Sequence, residues 1–260
     1  MSRLDVWLAD HGLAESREKA QALVMAGRVR VDGQPAAKPG TRVREGQAVT
    51  VDAGPRHVGR GALKLAGALD ALGVSPDGRV AVDVGASTGG FTEVLLARGA
   101  VRVYAVDVGR GQLHEKLQRD PRVVVRDRTN ARQLSADVVP EPCGLAVMDV
   151  SFISARMILG ALAGVLRPGA DAVVLVKPQF EVGRDQVGRG GLVRDAALHH
   201  QAVIDVARAA QEKGFGARGA CPSPVAGAEG NREFFLHLVV GAPAMPPHEL
   251  EAVVRKAVEP

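Results

Sequence analysis

The stretch "RVAVDVGASTGGFTEVLLARGA", Arg79 to Ala100, joins an apolar run to a turn holding Gly85, Gly89 and Gly90, followed by Phe91, Val94, Leu95 and Leu96 at helical spacing. That order reads as a buried strand, a glycine-rich turn and a helix. Such a turn can hold a pyrophosphate, present a nucleophilic serine, or cradle another cofactor. A dinucleotide site asks for G-x-G-x-x-G, but Ser87 stands where the second glycine would be. Gly85-Ala86-Ser87-Thr88-Gly89 also fits G-x-S-x-G, the turn that presents a hydrolase serine, and His199, His200, His237 and His248 follow it. The serine reading leaves no role for Asp83, just before the turn, or for the acid closing the next strand. Asp83, Asp107 and Asp127 close three successive predicted strands, with Asn130 near the third. Ligands of open α/β sheets bind at that carboxyl edge. A carboxylate beside a glycine turn suits a cationic ligand, because glycine lets the backbone approach it. Asp107 is placed to accept hydrogen bonds from ribose hydroxyls, and Asn130 to recognise an adenine edge.

Four more ionisable residues stand out in four separate segments: Lys64 in "GRGALKL", Asp149 in "VMDVSF", Lys177 in "LVKPQFE" and Glu233 in "GNREFF". Lys177 ends the apolar run "AVVLVK", and Pro178 stops its simple continuation. A lysine there can also extend its tail to solvent with no chemical role. The loop "EVGRDQVGRGGLVRD" follows directly, carrying Arg184, Arg189 and Arg194 among several glycines. It reads either as a plain connection or as a clamp for phosphates.

These residues need a scaffold. Apolar runs predict strands at 80–84, 102–107, 122–126, 144–149, 171–177, 215–220 and 233–240. Helical spacing predicts helices at 60–72, 91–98, 110–118, 156–166, 195–213 and 247–257. Alternation of this kind predicts a mainly parallel, Rossmann-like α/β sheet. The first fifty residues differ. Two short helical patterns, around Leu4–Leu8 and Ala20–Met25, precede the alternating pieces "RVRVDGQ", "TRVREG" and "AVTVD". Domains are expected at 1–53 (a small α+β module) and 62–260, joined by a basic, Gly- and Pro-containing segment at 54–61 with Arg56, His57 and Arg60.

Formal net charge is +4, and the isoelectric point is about 9.4. A phosphate-rich partner fits that balance but is not demanded by it. In the N-terminal module Arg17 and Lys19 stand at a predicted helix start, with Arg28 and Arg30 just past its end. Such a cluster, with Arg3, can contact a phosphate backbone without reading bases; nearby acids also allow a merely solvated surface. Cys143 and Cys221 are the only cysteines, far apart, so neither a disulfide framework nor zinc-ribbon spacing is present and no metal is expected. No apolar run approaches the length of a membrane helix. Charges in "MSRLDVWLADHG" occupy the place of a signal peptide's apolar segment, and a cytoplasmic protein without membrane partners is expected.

Residues 3–52, with their S-R-x-x-A and V-x-V-[DN]-G patterns, resemble the RNA-binding module named after the fourth protein of the small ribosomal subunit. "AVDVGASTGG" looks like the first motif of S-adenosylmethionine-dependent methyltransferases. In their order and context, Lys64, Asp149, Lys177 and Glu233 resemble the Lys-Asp-Lys-Glu tetrad of the FtsJ-like (RrmJ-like) ribose 2′-O-methyltransferases. With "DVSFIS", "VKPQFEVGR" and "GNREFF", nearly the whole chain resembles their TlyA-type subfamily, which carries a historical haemolysin label. The resemblance implies methylation of cytidine 2′-hydroxyls in ribosomal RNA. It implies S-adenosylmethionine as cofactor, held by Asp83, Gly85, Ser87, Gly89, Gly90, Phe91, Asp107, Asp127, Asn130 and Asp149. It also implies RNA contacts from Arg3, Arg17, Lys19, Arg28, Arg30, Arg60, Arg184 and Arg189. One departure is "HVGRGALKL", where relatives carry an aromatic or a serine around the arginine. Two other accounts remain: an RNA-binding assembly factor on a non-catalytic methyltransferase fold, and a membrane-lytic protein. Helix 195–213, interrupted by His199, His200, Gln201, Asp205 and Arg208, offers the latter nothing.

Overall fold

The computed structural model describes residues 2–14, 16–44, 46–52 and 58–259. It divides into two compact units, Met1–Arg56 and His57–Pro260. Half of the expected joint, residues 54–57, lies outside the described residues.

In the first unit the helices Leu4–Asp10 and Arg17–Met25 pack on short strands around Leu4, Leu8, Ala20, Val24, Val29 and Val43. Ser16 caps the second helix by accepting from the Lys19 N–H at 3.2 Å. Val29–Val31 pairs antiparallel with both Gln34–Pro35 and Val49–Val51. Asp5 is wholly buried beneath this surface. Its carboxylate accepts from Arg3 Nε and Nη2 at 3.0 Å each, from Arg17 Nε at 3.1 Å and from Gln21 Nε2 at 2.8 Å. Those donors hold Asp5 well below the usual carboxylate range.

The second unit is built on seven strands: β1 Val80–Val84, β2 Arg102–Val106, β3 Val123–Arg126, β4 Cys143–Met148, β5 Leu166–Val176, β6 Phe215–Pro222 and β7 Phe234–Val240. Their spatial order is β6-β7-β5-β4-β1-β2-β3. Strands β1 to β5 run parallel, while β7 is antiparallel to both β5 and β6. The chain starts at β1 in mid-sheet, goes outward through β2 and β3, then returns to β4 on the other side. This switch point opens a crevice beyond the carboxyl ends of β1 and β4. The layers on the two faces have separate cores, one around Val82, Met148, Val174 and Phe234, the other around Leu65, Leu95, Val147 and Phe235. Alternate residues of the same strands thus feed opposite faces.

Two predicted helices shrink. The one expected at 110–118 is only Glu115–Gln118, because Gly111 adopts φ +63° and the segment before it is a bonded turn. The one expected at 156–166 splits into a 3-10 turn at Ala155–Met157 and the helix Leu159–Ala163, ahead of an unexpectedly early β5. Between Leu166 and Asp171, β5 slips register around Pro168 and Gly169, which has φ +74°. The helix Gly61–Leu72 closes on Gly73 in the left-handed conformation, a C-terminal stop that only glycine adopts cheaply.

Candidate active site

Sheet register assembles the tetrad. Val84 pairs with Met148, and Met148 with Val174, so Asp149 follows β4 level with the glycine turn. Val176 pairs with Phe234 across antiparallel strands, which brings Lys177 and Glu233, each just beyond its strand, to the same edge. The four side chains form two ion pairs. Lys177 Nζ lies 2.5 Å from Asp149 Oδ1, and Lys64 Nζ lies 2.6 Å from Glu233 Oε2. Lys64, Lys177 and Glu233 are buried. Charges so far out of water persist only when paired and hydrogen-bonded. Each lysine thus pairs with one acid.

Ser151 was not anticipated: Lys177 Nζ donates to its Oγ at 2.9 Å. Gly227 was not anticipated either. A Cβ on it would overlap Glu233 Oε1 and stand 2.5 Å from Cδ. The clash falls on a side chain rather than on backbone, but that side chain is a buried, paired charge, so a Gly227→Ala protein should melt clearly below wild type. Displacing Glu233 from Lys64 should also lower turnover by about tenfold or more, given the sensitivity of catalysis to small misplacements. Thermal melting with initial-rate methylation assays checks both halves.

The glycine turn lies beside these pairs. Gly85 has φ +86°, Ser87 φ +48° and Gly89 φ +97°. Ser87 therefore takes the left-handed conformation that a glycine would adopt more cheaply at this position. Asp107 caps the turn from β2, accepting from the Ser87 N–H at 2.8 Å and the Gly109 N–H at 2.7 Å. Asp127 accepts from the Gly111 N–H at 2.8 Å, bracing the neighbouring loop. A Cβ on Gly90 would stand 2.8 Å from the Ala62 nitrogen, so the turn and the Lys64 helix are in backbone contact. Asp83 lies beneath the turn, fully buried. Its Oδ2 accepts from Thr92 Oγ1 at 2.6 Å, while its Oδ1 has no partner. Burial pushes its pKa up to about 7; the Thr92 hydrogen bond opposes this, and the nearby Asp149 adds to it.

A cleft of about 490 Å³ opens in front, with Gly85, Ser87, Asp107, Asn130, Asp149 and Ser151 among its lining residues. Asn130 also caps a 3-10 turn, its Oδ1 accepting from the Arg132 N–H at 3.1 Å. A smaller recess of about 120 Å³ runs along Gly61, Gly85, Gly90, Phe91 and Asp149. The Phe91 ring is otherwise core, packed 6.1 Å from Phe235. Phe152 is the most conspicuous residue that pattern reading missed. It is 92% exposed on the cleft rim, has φ +64° and meets Phe180 at 5.3 Å. Residues held in such sparsely populated conformations cluster at active sites and ligand clamps.

Six of the seven candidate RNA-contacting arginines fall into two groups, and the seventh, Arg28, is half-buried. Arg3 and Arg17 are tied to Asp5, Arg30 Nη1 donates to Gly33 O at 3.2 Å, and Arg60 Nη2 to Ala226 O at 3.1 Å. Arg184 and Arg189 are exposed on the loop after Glu181. Burial pushes the Cys143 thiol up to about 12 and the Cys221 thiol up to about 11, so neither supplies a thiolate nucleophile. Among the described residues no group of His, Cys, Asp and Glu could hold a metal ion. No described helix is long and apolar enough to cross a membrane.

A seven-stranded sheet with a glycine turn, an acid after the second strand and this tetrad defines a class. The chain belongs to the FtsJ-like methyltransferases, whose family model matches residues 57–239, and an S4 domain matches residues 2–49. Within that class it falls among TlyA-type proteins. It is 52% identical over 239 residues to the 16S/23S rRNA (cytidine-2′-O)-methyltransferase TlyA of Mycobacterium tuberculosis, covering 91% of this chain and 89% of that one. A solved structure from Streptococcus thermophilus that bears the name hemolysin is 41% identical, with TM-score 0.74 over 98% of this chain and 95% of the other. An S-adenosylmethionine dependent methyltransferase from Mesorhizobium loti shares the fold alone, at 17% identity and TM-score 0.50 over 66% and 96% of the two chains.

Proposed function

We propose that this protein transfers the methyl group of S-adenosylmethionine to the ribose 2′-hydroxyl of cytidine in ribosomal RNA, in the cytoplasm, where ribosomal subunits are found. The observation that carries the reading is the pairing of Lys177 with Asp149 and of Lys64 with Glu233 beside the glycine turn. The relationship to a named ribosomal RNA cytidine methyltransferase supports it.

The cleft fits the cofactor chemically. An orphaned, buried carboxylate oxygen on Asp83, with Asp107 and Asp149 on the lining, makes an acidic environment suited to a cationic ligand. When bound, S-adenosylmethionine supplies a methyl group activated by the sulfonium. Gly85, Ser87, Gly89 and Gly90 would line its backbone-facing side, with Phe91 supporting the turn. Asp107 would hold the ribose, and Asp127 and Asn130 the adenine. The protein's own part is to orient the acceptor. Lys177, fixed by Asp149 and Ser151, would direct the hydroxyl oxygen and receive or steer its proton. Lys64, fixed by Glu233, would supply the second positive group.

In this reading residues 1–53 bind RNA, 54–61 link, and 62–260 form the catalytic domain. Arg3, Arg17, Lys19, Arg28, Arg30, Arg60, Arg184 and Arg189 would contact phosphates, and the target nucleotide would leave its stack to reach the cleft. Purified protein incubated with methyl-labelled S-adenosylmethionine and unmodified ribosomal subunits should deposit 2′-O-methylcytidine. Lys177→Ala should reduce transfer by about a thousandfold, in the range seen when a positioned proton-handling group is removed. Cofactor binding without transfer to either subunit would leave the RNA-binding assembly role instead.

A further inference from the structure

Glu181 is a buried acid outside the tetrad, on the short helix Pro178–Glu181 that begins immediately after Lys177. Its carboxylate reaches back to the loop leaving β4. Oε1 accepts from the Ala155 N–H at 2.6 Å, and Oε2 accepts from Ser154 Oγ at 2.5 Å and Arg156 Nε at 3.1 Å. Arg156 Nη2 also donates to the Glu181 backbone carbonyl at 3.0 Å. The same loop carries Asp149 and Ser151, the two partners of Lys177, and then Phe152 with its positive φ. Its near end is tied to β1 by the Asp149 N–H, which donates to Val84 O at 2.9 Å. Glu181 ties its far end. Burying a carboxylate is unfavourable, and the cost of this one is offset by three hydrogen bonds donated to it by Ser154, Ala155 and Arg156. The bonds span 25 to 27 positions of sequence and link the Lys177 segment to the Asp149 segment.

We propose that Glu181 is a positioning residue for methyl transfer, which acts by clamping the β4 loop so that Ser151 and Asp149 hold Lys177 Nζ in place. The proposal rests on the reading of Lys177 as the group that handles the ribose hydroxyl. With the clamp gone, Asp149 keeps its backbone anchor to Val84, but Ser151 and the strained Phe152 lose the support that fixes their backbone. The loss falls on geometry at Lys177 rather than on RNA capture.

The test is steady-state methylation of ribosomal subunits by the full chain, comparing wild type with Glu181→Ala, Glu181→Gln, Ser151→Ala and the Glu181→Ala/Ser151→Ala double variant. Glu181→Ala should lower kcat by about 10- to 100-fold, as expected for a small misplacement of a reacting group. KM for the subunits should stay within about threefold, and because Ser151 and Phe152 also line the cleft, any weakening of S-adenosylmethionine binding should be smaller than the fall in kcat. Glu181→Gln, which keeps an acceptor for the Ala155 N–H, should recover much of the rate. If Glu181 works through Ser151, the double variant should be no more than about twofold slower than the slower single one, since residues acting as a unit are non-additive. Wild-type kcat in Glu181→Ala, or rate losses that multiply in the double variant, overturns the proposal. Should Glu181→Ala not fold, Glu181→Asp takes its place: its shorter carboxylate cannot reach Ser154, Ala155 and Arg156 together, so kcat should fall at unchanged KM, and a folded Glu181→Asp with wild-type kcat and a lowered melting temperature would assign Glu181 to stability alone. Absence of methylation by wild type would count against the proposed function itself, a result distinct from all of these.

Discussion

A Gly85→Ala protein should lose both cofactor binding and methyl transfer. Gly85 sits at φ +86°, where an L side chain costs about 1–2 kcal/mol. The larger cost is steric. The added Cβ would overlap the backbone oxygen of Asp149 and stand 2.9 Å from its carbonyl carbon. Nothing flexible is in the way, so the carboxyl ends of β1 and β4 would have to part. Those ends are tied by the Asp149 N–H donating to Val84 O, and Asp149 is the partner of Lys177. One methyl group thus acts on the fold and on the tetrad together. Destabilisation of about 4 kcal/mol or more is expected, the range reserved for strain and overpacking combined. Any protein that still folds should turn over at least about 100-fold more slowly. Calorimetric melting and labelled-methyl transfer measure both, and a variant with wild-type turnover would mean that the two strand ends are not locked together.

Asp83 should make the protein less stable as pH rises. An aspartate in an unfolded chain titrates near 3.9, whereas burial raises Asp83 to about 7. The folded state therefore binds more protons between those values. Stability from this group is highest below about pH 4, declines through the window up to 7 and is flat above it. Three pKa units correspond to about 4 kcal/mol. Asp83→Asn removes the titration while preserving size and the contact with Thr92 Oγ1. The difference in stability between variant and wild type should thus grow from pH 4 to 7 in favour of the variant, reaching about 2–4 kcal/mol at pH 8. Denaturant unfolding across that pH series tests the sign directly; a pH-independent difference would mean that Asp83 does not bind a proton in this window.

The sheet and the edge that carries the candidate site were legible because their signals are local. Apolar runs are readable when a strand is buried on both faces, and β1 matches its predicted span of 80–84. Glycine requirements at Gly85 and Gly89 follow from positive φ in a tight turn. Weaker elements were misjudged where such signals conflict. Residues 110–118 carry helical spacing, but Asp107 and Asp127 bind the Gly109 and Gly111 amides and hold that stretch as a turn. Lys64, Asp149, Lys177 and Glu233 were recognisable only as a set, since each alone reads equally well as a surface charge.

Sequence alone determined which residues could do chemistry here, because strand ends, turn glycines and helix starts are set by neighbours within a few positions. Only the tertiary structure decided how they are used. Lys64 finds Glu233 across 169 positions, and Lys177 finds Ser151 across 26. Nothing in local pattern distinguishes these partners from other acids and hydroxyls in the chain. The same holds for the overlap of a Gly227 side chain with Glu233, the exposed ring of Phe152 and the clamp at Glu181. Strand register and the expense of burying an unpaired charge choose among the possible pairings, and both exist only once the sheet has formed.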